Sequence, residues 1–157
     1  MTNAEIARVF DEIADLLEMK GENQFKIRAY RQATLTIKKL PSDVEQMVRN
    51  GEKLEEIPGI GDAISKKIRD LVNTGHIKLH DDLKAEFPQG ILDILAIPGI
   101  GPKTAMRLYV ELGVKSVAEL EQAIREGRVA AMRRMGEGAA QRILGQIEAG
   151  DSKSHKC

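Results

Sequence analysis

The chain has 157 residues and no formal net charge, because 24 acidic side chains balance 24 basic ones. Hydrophobic residues make up 42% of it, which argues for a packed core and against a disordered chain. Aromatic residues make up only 3%, and the single cysteine is Cys157, so base-stacking aromatic surfaces, disulfide frameworks and cysteine metal cages are not expected. The start lacks a signal peptide, and no apolar run reaches the roughly 18–20 residues of a membrane span, so we expect a cytoplasmic protein without membrane contact.

The first fifty residues predict three helices, each with apolar residues at helical spacing. The first covers residues 2–20, with Thr2 opening a capping box and Gly21 at the end. A third, short helix opens with another capping box at residues 42–45. The second helix covers residues 24–40, and the apolar residues spaced by four that predict its buried side are Phe25, Ala29, Ala33 and Ile37.

A five-residue motif, Ile-Pro-Gly-Ile-Gly, occurs at residues 57–61 and again forty residues later at residues 97–101. Each copy follows a short apolar segment and precedes a helical segment that carries lysine. Proline ends the preceding helix, the two glycines permit a tight turn, and the isoleucine between them anchors the turn in a core. The turn leaves backbone N–H groups unpaired at the start of the second helix, where they favour a phosphate.

This is the helix-hairpin-helix pattern, and two copies in matching context predict binding of nucleic acid rather than a plain turn between packed helices. Backbone donors meet phosphates and not base edges, so base sequence should matter little and salt should weaken binding steeply. The predicted DNA contacts in the turns and the helices after them are Gly59, Ile60, Gly61, Lys66, Gly99, Ile100, Gly101 and Lys103.

Residues 76–90 predict a linker, because glycine, proline and polar side chains are frequent there. No stretch alternates apolar and polar residues as a strand does, so we predict an all-α protein with two small helical subdomains, residues 1–75 and 91–149. Residues 150–157 predict a disordered tail. Three apolar residues are expected to keep the linker docked: Ile77, Leu79 and Leu83.

Two further patterns in the sequence bear on function. Residues 135–138, Met-Gly-Glu-Gly, resemble a third, degenerate hairpin. Its central apolar position is taken by Glu137, which would repel a phosphate, so we interpret this copy as architectural. His76 and His80 lie four residues apart, as metal ligands on a helix do, but no third ligand follows at firm spacing, so a solvated surface is the better prediction.

The order of these motifs resembles the N-terminal half of family X DNA polymerases, the group of DNA polymerase beta. The resemblance covers about residues 1–148 and includes Phe25-Lys26-Ile27-Arg28-Ala29-Tyr30-Arg31, both Ile-Pro-Gly-Ile-Gly motifs and Thr74-Gly75 between them. It implies a lyase-type domain that holds the 5′ side of a DNA gap, and a second domain that grips the primer-side duplex.

The partners implied are gapped, nicked or branched DNA, with a polymerase palm domain or other repair proteins in addition. The palm aspartates of the family are absent, since the chain has no Asp-x-Asp pair. We therefore do not expect nucleotide transfer from this chain alone. It is either the DNA-binding part of a longer repair polymerase or a free-standing relative.

The resemblance also implies roles for individual residues. In the family each hairpin often holds a monovalent cation, Na⁺ or K⁺, through backbone carbonyls, and no organic cofactor is implied. The family's phosphate-pocket positions or their neighbours fall on Lys26, Tyr30 and Arg31, of which Tyr30 either packs in the core or presents its hydroxyl to a phosphate. The carbonyls that match the cation sites belong to Glu55, Ile57, Ile60, Leu95, Ile97 and Ile100.

Lys67 stands where repair members of the family have a lysine that forms a Schiff base with the sugar aldehyde of a 5′ abasic end. A nearby cation such as Lys66, or desolvation, would favour the deprotonated amine that this reaction needs. Two positions depart from the family, because Ala63 replaces a phosphate-binding lysine and Glu55 replaces a basic residue. We therefore favour a phosphate-contacting or solvated Lys67, with a lyase and a protein-interaction scaffold as alternative functions.

Overall fold

The computed structural model describes the backbone of residues 1–154 and the side chains of residues 1–150. Within that part of the chain there are helices and no strands, which confirms the predicted all-α fold. The helices are α1 (Asn3–Lys20), α2 (Gln24–Lys39), α3 (Val44–Arg49), α4 (Asp62–Thr74), α5 (Lys78–Ala85), α6 (Ile91–Leu95), α7 (Pro102–Leu112), α8 (Val117–Arg125) and α9 (Gly136–Ser154), and a 3-10 turn covers Leu54–Glu56.

The helices fall into two compact units, with the boundary between Glu86 and Phe87. The first unit contains α1 to α5, and the second contains α6 to α9. Residues 76–90, which the sequence predicted as a linker, contain α5, and this helix packs against α1 inside the first unit. Ile77 and Leu83 are buried, because they form the apolar side that α5 turns toward α1.

Local capping sets where the helices of the first unit begin. The Thr2 hydroxyl accepts the Glu5 N–H, and the Glu5 carboxylate accepts the Thr2 N–H, which is the predicted capping box. Gly21 ends α1 in the left-handed region, with φ of 76°. The cap of α3 is Asp43, whose carboxylate accepts the N–H groups of the first turn.

The buried side of α2 differs in part from the prediction. Ala33 and Ile37 are buried, but Phe25 is 79% exposed and Ala29 is also exposed. A row of residues spaced by four drifts around an α-helix by about 40° per step, so its two ends face different directions. The positions that complete the buried side are Ile27, Tyr30 and Thr34.

The second unit has its own core and is closed by the long helix α9, which packs against α8. The Ser116 hydroxyl caps α8, and Gly113 ends α7 with φ of 69°. Helix α9 continues through Ser154, so the disordered tail predicted for residues 150–157 is wrong for its first part, and residues 155–157 lie outside the described residues. The fully buried core residues include Ile94, Ala105, Leu108, Leu120, Ala123, Val129 and Ala140.

Within residues 1–154, every helix is too short or too polar to cross a lipid bilayer.

Candidate nucleic-acid interface

Two turns in the chain have the same backbone conformation. They are the first hairpin, residues 57–61, in the first unit, and the second hairpin, residues 97–101, in the second unit. Gly59 has φ of 94° and Gly99 has φ of 93°. Both values lie in the left-handed region that a residue with a Cβ rarely adopts, which explains why glycine occupies the third position of each motif.

Each hairpin is held by two consecutive hydrogen bonds between residues three apart. In both bonds an isoleucine of the motif donates its N–H to the carbonyl three residues earlier, and these bonds hold the chain in a tight turn. The four bonds run from Ile57 N–H to the Leu54 carbonyl (3.0 Å), Ile60 N–H to Ile57 (3.0 Å), Ile97 N–H to Ile94 (3.1 Å) and Ile100 N–H to Ile97 (3.1 Å).

The central isoleucine of each hairpin points into the core of its own unit. Ile60 is 3% exposed and Ile100 is 6% exposed. This fits the predicted anchoring role of both residues. Any contact that they make with DNA must therefore come from the backbone and not from the side chain.

The helices that follow the hairpins start without a side-chain cap. Gly61 and Gly101 are the N-cap residues of α4 and α7, with nearly extended backbones (φ −90° and −95°). Glycine has no side-chain oxygen, so the N–H groups of the first helical turn are left for an acceptor from outside the helix. In α7 one of them is missing, because Pro102 is the first helical residue.

A third hairpin occupies residues 132–136, and its register lies two residues earlier than the one that the sequence indicated with the segment 135–138. Its central apolar position is taken by Met135, which is half-buried, while Glu137 lies exposed in the first turn of α9. The interpretation that Glu137 replaces the apolar residue is therefore wrong. The two bonds that repeat those of the other hairpins are Met132 N–H to the Val129 carbonyl and Met135 N–H to the Met132 carbonyl, both 3.1 Å.

Four lysines that the sequence singled out have no carboxylate partner among the described side chains. Lys66 on α4, Lys103 on α7 and Lys26 on α2 are exposed, and Lys67 is half-buried. Within the described side chains none of the four makes an ion pair. Their ammonium groups are thus available to an anion such as a phosphate.

Two helix-hairpin-helix families match this chain. Residues 1–77 match a helix-hairpin-helix domain, and residues 91–149 match a SAM-like helix-hairpin-helix tandem, a stretch that includes both the second and the third hairpin. The chain is 29% identical over 144 residues to the DNA polymerase/3′-5′ exonuclease PolX of Bacillus subtilis (strain 168). It is 26% identical over 120 residues to DNA polymerase lambda of Arabidopsis thaliana.

This chain is homologous to the N-terminal region of family X DNA polymerases. The two alignments cover 92% and 76% of the chain but only 25% and 22% of the relatives. The chain thus spans about a quarter of the length of these family X polymerases.

Arg31, which the resemblance assigns to a phosphate pocket or its neighbourhood, is engaged inside the protein. Its guanidinium lies 2.7 Å from the Asp15 carboxylate, 2.9 Å from Asp11 and 3.9 Å from Glu18. Burial raises the pKa of Asp15, even though the hydrogen bond with Arg31 acts in the opposite direction. The structure therefore places Arg31 in the joint between α1 and α2, with its charge already balanced, and not on a free phosphate-binding surface.

Tyr30, the second residue that the resemblance assigns to the pocket or its neighbourhood, lies in the core. It is 4% exposed, and its ring stacks on Phe10 with 6.1 Å between the ring centroids. Burial raises the pKa of the Tyr30 hydroxyl. Of the two roles that the sequence left open, the structure supports packing in the core.

Glu55, which stands where the resemblance leads us to expect a basic residue, is locally neutralised. Its carboxylate accepts hydrogen bonds from Arg69 Nη2 at 2.8 Å and from Ser65 Oγ at 3.0 Å. The Arg69 hydrogen bond is the main reason why the pKa of Glu55 falls to about 2. The carboxylate therefore faces α4, where Arg69 offsets its repulsion of a phosphate.

The backbone carbonyls that the resemblance assigns to cation sites have the chemistry that suits a monovalent ion. Glu55 and Leu95 precede Pro58 and Pro98 by three residues, and proline has no N–H to donate to them. Neutral carbonyl oxygens are the ligands that K⁺ prefers. Within the described residues, no group of three or more His, Cys, Asp or Glu side chains is arranged to hold a metal ion.

His80 differs from the predicted solvated surface. It is 8% exposed, and its Nε2 lies 2.9 Å from Glu12 Oε1 on α1. His76 is exposed, with Nδ1 3.4 Å from Asp81. His76 therefore lies at the surface, whereas His80 is buried between α5 and α1 and joins the two helices.

Proposed function

We propose that this family X homologue binds DNA through its phosphates, without reading base sequence, on gapped, nicked or branched duplex. The observation that carries the proposal is the matched pair of hairpins. Each has the same φ at its third residue, leads into a helix whose N-cap is glycine, and is followed by an unpaired lysine. A polymerase palm domain or another repair protein is the further partner that we propose.

The distribution of ion pairs supports this proposal despite the zero net charge. Arginines balance many of the carboxylates, as Arg31, Arg69 and Arg107 show. The lysines that follow the hairpins have no ion-pair partner among residues 1–150, and a chain that is neutral overall can still present positive charge locally. Helix N-termini with free N–H groups are sites that favour phosphate.

The proposal includes a monovalent cation, Na⁺ or K⁺, at each of the first two hairpins. When bound, such an ion would neutralise a phosphate without requiring a basic side chain. The test is to exchange KCl for tetramethylammonium chloride at equal concentration, because the larger ion does not fit between carbonyls. Affinity for gapped duplex should fall, and equal affinity in the two salts would remove the cation from the proposal. The carbonyls that would hold the ions are those of Glu55, Ile57 and Ile60, and of Leu95, Ile97 and Ile100.

The test of DNA binding itself is a fluorescence-anisotropy titration of gapped, nicked and intact duplex at several salt concentrations. The slope of log K against log salt falls in magnitude by about 0.9 for each phosphate contact that is lost. We expect that loss for Lys66→Gln and for Lys103→Gln. Lys84→Gln is the matched control, because Lys84 pairs with Asp81 on α5 and should leave the slope unchanged.

An equal, salt-insensitive failure to bind nicked and gapped duplex would refute this function and favour the protein-interaction scaffold. Slopes for the Lys66 and Lys103 variants that match the Lys84 control would show that the hairpins are not the contact.

A 5′ abasic-end lyase is the second candidate, and the half-buried, unpaired Lys67 on α4 is the observation that favours it. In this reaction the amine would add to the sugar aldehyde and lose water to form an imine. Borohydride reduction on a duplex with such an end should then leave a covalent adduct with the wild type and with Lys66→Ala, but none with Lys67→Ala. No adduct with the wild type excludes the lyase and leaves the DNA-binding proposal intact.

A further inference from the structure

The third hairpin, residues 132–136, carries two arginines where the other hairpins carry proline and glycine. Arg134 has φ of 64°, the left-handed conformation that Gly59 and Gly99 adopt at the same position. Among the described residues, Arg134 is the only one other than glycine with a positive φ. The left-handed third position and the two hydrogen bonds thus repeat those of the other hairpins, at a cost in backbone strain of roughly 1–2 kcal/mol. The glycine before the helix differs, because Gly136 has φ of 74° where Gly61 and Gly101 have −90° and −95°.

Arg133 and Arg134 are exposed, and within the described side chains neither guanidinium has a carboxylate partner. They line one shallow cleft together with Arg107 and Glu111. The Glu111 carboxylate is already taken by Arg107, whose Nε lies at 2.8 Å. The cleft therefore presents excess positive charge to solvent, unlike the balanced cluster around Arg31.

The second and third hairpins border the same open groove in the second unit. The second hairpin contributes Pro98 and Gly99 to its lining, and Met135, Ala139 and Arg142 come from the third hairpin and α9. A nucleic-acid strand that contacts the first turn of α7 at one side of this groove has the third hairpin at the other side. Arg133 and Arg134 do not line the groove itself; they line the separate cleft beside Arg107 and Glu111, further along the same helix α7.

We propose that the third hairpin is an additional phosphate-binding site, in which Arg133 and Arg134 grip the backbone of the DNA that the second hairpin holds. The proposal rests on the proposed DNA-binding function and adds a second contact within the same unit. The planar guanidinium group binds two phosphate oxygens at once, so side chains supply here what backbone N–H groups supply at the other hairpins.

Glu137, which the sequence suggested would repel a phosphate, does not oppose this site. It is the first residue after Gly136, the place that Asp62 occupies after Gly61 in the first hairpin. An acidic residue at this place is thus shared with the first hairpin. The Glu137 carboxylate also accepts a hydrogen bond from Gln141 Nε2 at 2.9 Å, which directs it along α9.

The test compares two double variants in the anisotropy titration with gapped duplex. Arg133→Gln/Arg134→Gln should reduce the magnitude of the salt slope by about 2, because two phosphate contacts are lost. Arg125→Gln/Arg128→Gln removes the same charge from arginines that pair with Glu121 and Glu126, and should leave the slope unchanged.

A third variant, Arg134→Gly, separates binding from folding, because it relieves the positive φ and cannot unfold the turn by strain. It should raise the midpoint of thermal unfolding and still reduce the slope by about 1. An unchanged slope in both Arg134 variants overturns the third site while the Lys66 and Lys103 results stand. If those lysine variants also leave the slope unchanged, the proposed function fails and the third site fails with it.

Discussion

Gly59 lets the first hairpin approach α2 closely, and this contact allows a sharp prediction. A Cβ built on Gly59 would lie 2.6 Å from Thr36 Oγ1 and 3.3 Å from Gln32 Cγ. A Cβ on Gly99 meets no heavy atom within 4 Å. The two glycines have nearly the same φ, so an alanine experiences the same backbone strain at both, and only the Gly59 variant adds a steric clash.

The expected losses of stability follow from these two effects. A residue with a Cβ in the left-handed region costs about 1–2 kcal/mol, which is the whole effect expected for Gly99→Ala. Overpacking adds about 1–3 kcal/mol, so Gly59→Ala should cost about 2–5 kcal/mol. Turning the Thr36 hydroxyl away from Gly59 would break the hydrogen bond that it accepts from Gln32 Nε2 at 3.2 Å. Thr36→Ala removes the hydroxyl and should recover a large part of the additional loss.

Residue-resolved amide hydrogen exchange is the appropriate assay, because it reports opening free energies for each unit separately. Exchange in α2 and α4 reports on the Gly59 variants, and exchange in α7 reports on Gly99→Ala. We expect a coupling of about 1 kcal/mol or more between Gly59→Ala and Thr36→Ala. Equal losses for the two glycine variants, or strictly additive effects of Gly59→Ala and Thr36→Ala, would refute the steric explanation.

Two further predictions concern carboxylates. Arg69→Ala should raise the pKa of Glu55 from about 2 toward 4.5 in a carboxyl NMR titration. Because the pKa of Glu55 is lowered in the folded state, its pair with Arg69 stabilises the fold fully above about pH 4.5 and loses this effect as the pH falls through about 2. Wild type and variant should therefore differ in stability above that range and not below about pH 2. Burial acts to raise the pKa of Glu12, but the hydrogen bond from His80 and nearby positive charges together outweigh it and the pKa is lowered. His80→Leu removes this main partner of the Glu12 carboxylate. It should destabilise α1 and α5 by about 1–3 kcal/mol in hydrogen exchange, and the double variant with Glu12→Leu should recover much of that loss; no recovery would assign the loss to packing.

The helices and the two Ile-Pro-Gly-Ile-Gly hairpins could be predicted because their signals are local. Thr2 caps α1 through a hydroxyl three residues from its partner, and Gly59 and Gly99 have a φ that glycine alone adopts freely. The sequence predicts the register of the third hairpin two residues too late, also because the signal is local. The glycines at residues 136 and 138 have the spacing of the two glycines in the motif and so predict the wrong register. The left-handed position is occupied by Arg134, a residue type that does not indicate a positive φ.

The sequence by itself determined the all-α fold, the paired hairpins and the lysines beside them, since each of these depends on residues within one or two turns of each other. Only the tertiary structure decided which charges remain free to meet a phosphate. Arg31 is neutralised by Asp15 on the neighbouring helix, and His80 is buried against Glu12, 68 residues away. Such pairs form between helices whose contact depends on packing of the whole core, so no local pattern reveals them. The same packing leaves Lys66, Lys103 and Arg133 without a carboxylate partner among the described side chains.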